Sequence, residues 1–191
     1  LFRTGELKAA MEPLRQFIIS QPDSIHVLEV LGEIFMAESR YSEAIDTYQR
    51  LQSFYPENLE LNLHLAESYW QLQELSKAKD VYEKILLFDD ENYNVMLRIG
   101  EIYNALGDYS KAGSIYNEVV NCTTPTMAVY YQLALTHGNR GKYMPAVLAF
   151  HEALKLAPND IQIKYQLGVA YKELSIYDHA ANYFEEYIFQ H

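Results

Sequence analysis

Small and large apolar residues recur along the chain at a fixed interval of 34 residues. Alanine stands at six such positions, with no insertion or deletion between them: Ala10, Ala44, Ala78, Ala112, Ala146 and Ala180. A large apolar residue follows each alanine after four positions, and another precedes each by three. Because residues three and four apart share one face of an α-helix, this spacing predicts an amphipathic helix around each alanine. The fixed period indicates an array of similar structural units.

A second set of apolar residues keeps the same period and predicts another helix in every unit. Each member is followed at once by glycine or alanine: Leu31, Leu65, Ile99, Leu133 and Leu167. Three positions after that small residue comes an aromatic residue, except in one unit, which has His137. Short breaks at Ser39-Arg40, Gly107-Asp108 and Gly141-Lys142 separate the two helices. We therefore predict an all-α fold of helical hairpins, in which the small residues let helix axes approach closely.

The complete pattern resembles the tetratricopeptide repeat. It has a leucine-glycine pair, an aromatic residue, an alanine, a second aromatic residue and, in three units, a terminal proline that stops the second helix: Pro22, Pro56 and Pro158. The resemblance implies a right-handed superhelical solenoid of antiparallel helix pairs, with residues 1–191 forming a single array. Its predicted parts are a half repeat, four full repeats and a nearly complete repeat: 1–24, 25–58, 59–92, 93–126, 127–160 and 161–191.

Each hairpin is stabilised by contacts with its neighbours, so a terminal hairpin without a neighbour exposes an apolar face. The chain opens within a unit and closes on Tyr187-Ile188-Phe189, without the polar helix that usually shields such an array. We therefore expect either that it is part of a longer protein or that its uncapped terminal repeats pack against another copy, giving a homo-oligomer.

Charge narrows the class of partner. The net charge is −11, and the 15 Lys and Arg residues are scattered without forming a basic patch, which argues against nucleic acid. No stretch approaches 18 uninterrupted apolar residues, so we predict no membrane insertion. The single cysteine, Cys122, is too few for a disulfide framework or a structural zinc site. It fits a reducing compartment, which favours the cytoplasm.

The resemblance also implies where a partner binds, because the first helix of each tetratricopeptide repeat lines a concave groove. The candidate partner-binding residues at groove positions are Glu29, Glu33, His64, Glu67, Trp70, Asn94, Arg98, Glu101, Tyr131, Gln132, Tyr165 and Gln166. They are mainly acidic in the earlier repeats and mainly aromatic or amide-bearing in the later ones. We predict that the groove binds another protein or peptide whose segment is basic, or mixed basic and apolar.

Other interpretations of these residues stay open. Glu33, Glu67 and Glu101 occupy one position in three successive repeats and could equally form a solvated helix face. Tyr131 and Tyr165 could pack against a neighbouring helix instead of a ligand. Trp70 is the stronger contact candidate, because large aromatic side chains dominate binding hot spots.

Nothing in the sequence indicates catalysis. The glycines fall at helix contacts and turns and not in a phosphate-binding loop, and no pattern points a base at Cys122. We predict no catalytic residue, no metal site and no cofactor. The leading hypothesis is a protein-interaction module or assembly scaffold. The alternatives are the recognition arm of a larger enzyme and a self-assembling structural repeat protein.

Overall fold

A computed structural model describes residues 13–14, 16–21 and 24–189. Ten α-helices have both ends among these residues, and they are numbered here in chain order: α1 Ile25–Ala37, α2 Tyr41–Phe54, α3 Leu59–Gln71, α4 Leu75–Leu86, α5 Tyr93–Ala105, α6 Tyr109–Cys122, α7 Met127–Asn139, α8 Tyr143–Leu156, α9 Ile161–Glu173 and α10 Tyr177–Phe189. Residues 16–20 are helical as well. The predicted all-α fold is confirmed, whereas the predicted half repeat, 1–24, lies largely outside the described residues.

The chain divides into two compact units, residues 1–92 and 93–191. Unit 1 contains α1–α4 and unit 2 contains α5–α10, so the boundary falls between two predicted repeats. Within each unit every helix packs against the next one in the chain, first inside a repeat and then between repeats. Each unit is therefore a stack of helical hairpins, and the repeat boundaries stay a prediction. That all the repeats form one continuous solenoid stays a prediction.

Each hairpin depends on a close contact between a small residue on its first helix and a ring on its second. A Cβ atom added to Gly32 would lie 2.8 Å from Cζ of Tyr48, and one added to Gly100 would lie 2.9 Å from Cζ of Tyr116. Both rings are buried. Because these separations leave no room for a methyl group, glycine is required at these two positions, whereas Ala66 and Ala134 stand at the equivalent position of two other repeats.

The turn inside each repeat contains one residue in the left-handed backbone region. These residues recur every 34 positions, with φ between 57° and 78°: Ser39, Gln73, Gly107, Gly141 and Ser175. In the second of these turns the backbone N–H of Glu74 donates to the carbonyl of Tyr69 at 2.9 Å, which closes the end of α3. Glycine adopts this conformation without a steric cost, but the other three residues do not. The predicted breaks at Ser39, Gly107 and Gly141 coincide with these turns.

Polar side chains mark where new repeats begin. Oδ1 of Asn58 accepts from the N–H of Leu61 at 3.0 Å, and Oδ1 of Asp160 accepts from the N–H of Ile163 at 3.0 Å. Such caps satisfy N–H groups that have no partner within the helix. In both cases the cap follows two residues after a proline that stops the preceding helix. None of the described helices has the length and apolar character needed to cross a membrane.

We predict opposite stability effects for alanine at two glycines. Gly100→Ala should lower the free energy of unfolding by about 1–3 kcal/mol, because the buried ring of Tyr116 must shift. Gly138→Ala should raise it by about 0.5 kcal/mol, because an added Cβ there meets no atom within 4 Å and alanine favours the helix. Urea unfolding followed by circular dichroism measures both. Equal effects at the two positions would show that the ring contact does not limit helix approach.

A second prediction concerns the turn between α3 and α4. Gln73→Gly should raise the free energy of unfolding by about 0.5–1 kcal/mol, because it removes the cost of a left-handed residue that has a Cβ. The matched change Gly107→Ala should lower it by about the same amount. Thermal unfolding of the two variants beside the unmodified protein tests this. A loss of stability in Gln73→Gly would mean that the Gln73 side chain contributes more than its backbone strain costs.

Candidate functional site

A cleft in unit 1 brings together several of the predicted groove residues. It has a volume of about 140 Å³ and is formed by α1, α2, α3 and the connection between the last two. Its lining residues, which together define the acidic cleft, are Glu29, Glu33, Tyr48, Leu51, Tyr55, Asn58, Glu60, Leu61 and His64. The first helices α1 and α3 supply the three carboxylates, and the second helix α2 supplies Tyr48. Of the predicted groove residues, Glu29, Glu33 and His64 thus line the same cleft.

The hydroxyl of Tyr48 has an unusual environment in this cleft. The residue is only 3% exposed, and its hydroxyl has no hydrogen-bond partner among the described residues. The ring lies against Gly32 on one side, and its centroid is 5.3 Å from that of His64. Burial raises the pKa of Tyr48, and the negative charges of Glu33 and Glu60 raise it further. The hydroxyl is therefore neutral at physiological pH and keeps its proton.

The three glutamates at the shared groove position differ in their partners. Glu67 accepts a hydrogen bond from Nε2 of Gln71 at 2.7 Å and lies 3.4 Å from the hydroxyl of Tyr82. Glu101, in unit 2, forms an ion pair with Arg98 at 3.0 Å. Glu33 has neither a hydrogen bond nor an ion pair within the described part of the chain. The structure therefore distinguishes Glu33 from the two residues that the sequence treats as its equivalents.

Sequence reasoning missed a row of tyrosine hydroxyls. Tyr48, Tyr82 and Tyr116 occupy one position of three successive repeats, and the pattern indicates only that they fill the core. In the structure each ring passes the first helix of its own repeat, so that the hydroxyl of Tyr82 meets Glu67 and that of Tyr116 lies 3.5 Å from Nδ2 of Asn104. The signal in the sequence was the change to phenylalanine at the same position of the next two repeats, Phe150 and Phe184.

Unit 2 contains a cleft of different chemistry, formed by α7, α8 and α9. Its volume is about 330 Å³, and its lining residues, which define the apolar cleft, are Ala134, Leu135, Gly138, Asn139, Tyr143, Ala146, Phe150, Gln166, Val169, Ala170 and Glu173. Gly138 leaves space that a larger side chain would fill. Of the predicted groove residues, this cleft contains only Gln166. Its mostly apolar lining suits an apolar side chain, with polar groups on a few sides.

Tyr131 and Tyr165 both pack on rings of the neighbouring second helices. The ring centroid of Tyr131 is 5.8 Å from that of Phe150, in an edge-on arrangement, and burial raises the pKa of Tyr131. Tyr165 lies between Phe184 and Tyr187, with centroids 5.8 Å and 5.0 Å away. Tyr165 keeps 38% of its surface exposed, so packing leaves part of it accessible.

The remaining predicted residues lie outside both clefts. Trp70 and Gln132 are half-buried, and Asn94 and Arg98 are exposed. Arg98 is held by its ion pair with Glu101, three residues further along α5. The predicted set is therefore spread over several local surfaces, of which the acidic cleft brings together the most members.

The described residues contain no cluster of side chains that could bind a metal ion. Within those residues, no three or more His, Cys, Asp and Glu side chains lie close enough to hold an ion. His26 pairs instead with Glu29, at 3.4 Å, on the exposed face of α1. Of the cleft carboxylates, those of Glu33 and Glu60 form no ion pair within the described residues.

Comparisons with known proteins agree with this architecture. Tetratricopeptide repeat profiles match residues 1–58 and 131–191, 35–91, and 94–121. No curated protein sequence matches the chain. A crystal structure of the MamA protein is similar, with a TM-score of 0.80 and 19% identity over 87% of this chain and 91% of that one. MamA from Desulfovibrio magneticus RS-1 has a TM-score of 0.81 and 17% identity over 86% and 93%. These likenesses show a shared fold.

Proposed function

Because the chain belongs to the tetratricopeptide repeat family, we propose that it is a protein-interaction scaffold that binds segments of a partner protein on the first helices of its repeats. The observation that carries the proposal is the acidic cleft, where Glu29, Glu33 and Glu60 face one small volume. Their charges are gathered at a surface that the family uses for recognition. The proposal assigns the protein no catalytic residue.

The charge of the protein favours a basic partner segment. The net charge of −11 attracts cationic proteins over a distance. The carboxylates of the acidic cleft can then form direct ion pairs with basic side chains of the partner. Glu33 and Glu60 form no ion pair within the described residues, so a ligand does not have to displace an existing cation from them. Exclusion of nucleic acid and a cytoplasmic location remain predictions that are consistent with this charge.

The apolar cleft of unit 2 supports a second kind of contact. Leu135, Phe150 and Val169 provide an apolar lining, and Gln166 provides an amide that can pair with a backbone group of the ligand. We propose that this cleft takes an apolar side chain, which makes the preferred partner mixed in character. The predicted groove residues outside the two clefts stay proposed contacts of that partner: Glu67, Trp70, Asn94, Arg98, Glu101, Tyr131, Gln132 and Tyr165.

Charge reversal in the acidic cleft should weaken partner binding. The double variant Glu29→Lys, Glu33→Lys should retain less than about a tenth of the captured partner when both forms are used for affinity capture from native cell extract. The matched control is Asp46→Lys, Glu118→Lys, which makes the same change in net charge on exposed positions of second helices. The captured partner should also decrease as salt rises, because salt screens exposed charges.

The control separates local recognition from net charge. If the cleft variant and the control lose the partner equally, attraction to the whole protein explains the binding and the acidic cleft has no specific role. If both retain the partner, the acidic cleft is a solvated surface. Helicity of each variant, measured by circular dichroism, confirms that a loss of capture does not come from unfolding.

Self-assembly is a second candidate function, favoured by the exposed apolar side chains of α10. Ile188 is 69% exposed and Phe189 is 88% exposed. Apolar groups placed in this way can be buried by another copy of the chain. Sedimentation over a hundredfold concentration range should then show a rising mass, and Ile188→Lys, Phe189→Lys should hold the protein at one mass. A constant mass in the unmodified protein would contradict this second candidate.

A further inference from the structure

The buried hydroxyl of Tyr48 lacks a hydrogen-bond partner within the described residues, which lowers the stability of the free protein. Burying a hydroxyl without a hydrogen-bond partner costs free energy, and nearly all such groups in folded proteins are paired. The equivalent ring in two repeats of unit 2 is phenylalanine, Phe150 and Phe184, so the fold does not need a hydroxyl at this position. Tyr48 nevertheless carries one, and the residue lines the acidic cleft.

We propose that the acidic cleft is a binding site for one cationic nitrogen group of a partner, the end of a lysine or arginine side chain, and that the Tyr48 hydroxyl is one of its hydrogen-bond acceptors. This rests on the proposed function, in which unit 1 binds a basic partner segment. The carboxylates of Glu33 and Glu60 balance the positive charge. An ammonium group has three N–H donors and a guanidinium five, which suits a site whose carboxylates and hydroxyl oxygen can all accept hydrogen bonds.

The composition of the cleft excludes other ligand classes. An anion would meet three carboxylates, from Glu29, Glu33 and Glu60, and would be repelled. A neutral apolar group would bury those carboxylates without a partner, which is costly. The volume of about 140 Å³ admits the end of one side chain and not a folded element. A single cationic group satisfies both the charge and the size.

In the neighbouring repeats, the equivalent hydroxyls and carboxylates have hydrogen-bond or ion-pair partners within the protein. In the second repeat of unit 1 the Tyr82 hydroxyl lies against Glu67, and in the first repeat of unit 2 Glu101 pairs with Arg98 while Asn104 reaches Tyr116. Within the described residues, only in the acidic cleft does a buried hydroxyl lack a partner, and the nearby carboxylates of Glu33 and Glu60 form no ion pair there. A cationic ligand donates to the Tyr48 hydroxyl as Asn104 donates to that of Tyr116, and it pairs with Glu33 as Arg98 pairs with Glu101.

Small probes test the site without the partner. n-Butylammonium and n-butylguanidinium carry the functional groups of lysine and arginine, and n-butanol and butyrate are their neutral and anionic counterparts. Backbone amide resonances of α1 and α3 should shift saturably with one or both cations and should not shift with the other two probes. The cation that binds more tightly identifies lysine or arginine as the source. Glu33→Gln, Glu60→Gln should weaken cation binding at least tenfold.

Tyr48→Phe tests the hydroxyl itself. Removing it should weaken cation binding about three- to tenfold, while the midpoint of thermal unfolding rises or stays the same, because the hydroxyl has no partner in the free protein. The matched control is Tyr116→Phe, which should leave cation binding unchanged. A purely structural role for Tyr48 predicts the reverse, with a lower midpoint and unchanged binding, and that result would overturn the proposal.

The outcomes distinguish this site from the proposed function. If no probe produces a saturable shift, or if neutral and cationic probes act alike, the cation site is wrong even where charge reversal abolishes partner capture. If the cations bind and Tyr48→Phe weakens them, but charge reversal leaves partner capture intact, the cation site stands and the proposed role of the acidic cleft in partner binding fails.

Discussion

The contact between a small residue on the first helix and a ring on the second is the constraint on which each repeat depends. Because a Cβ atom at Gly32 would lie within 3 Å of the Tyr48 ring, the two helices are as close as their backbones and that ring allow. The same contact determines where the tip of the ring goes. The ring crosses the first helix at Gly32, where there is no side chain, and its hydroxyl is near the carboxylates of Glu33 on α1 and Glu60 on α3. One packing contact therefore holds the hairpin together and contributes Tyr48 to the lining of the acidic cleft.

Most of the fold could be predicted from the sequence, because apolar residues three and four positions apart within each 34-residue unit identify the buried face of each helix. The helix pairs and the positions of three of the five turns follow from spacing and from breaks such as Gly107-Asp108. The left-handed backbone of Ser39, Gln73 and Ser175 could not be predicted from residue type, because neither serine nor glutamine favours it. Their conformation is imposed by the two helices that they join, at some cost to the turn. The division into two units has no counterpart in the pattern, since the period continues through Asn92-Tyr93 without a change.

The candidate site could be predicted only in part, because register gives the direction of a side chain and not its partner. Glu33, Glu67 and Glu101 share one position of the repeat, but the hydrogen bonds and ion pairs of each depend on which side chains lie one turn away or on the adjacent helix. For Glu101 this is Arg98, and for Glu67 it is Gln71 and Tyr82. The predicted set also omits Tyr48, because its position in the repeat marks it as a core residue. The core assignment is correct for the ring and incomplete for the hydroxyl.

The ring position on the second helix links the fold to the chemistry of each surface. In the first full repeat of unit 1 this position is Tyr48, which lines the acidic cleft, and in the second repeat of unit 2 it is Phe150, which lines the apolar cleft. The two rings fill the same place in their hairpins and are buried to a similar degree. The hydroxyl of Tyr48 thus adds a polar group at a core position without altering the repeat. The side chains that line the two clefts differ as well, from carboxylates in one to Leu135 and Val169 in the other, so a repeat array can vary its ligands while its packing contacts stay constant.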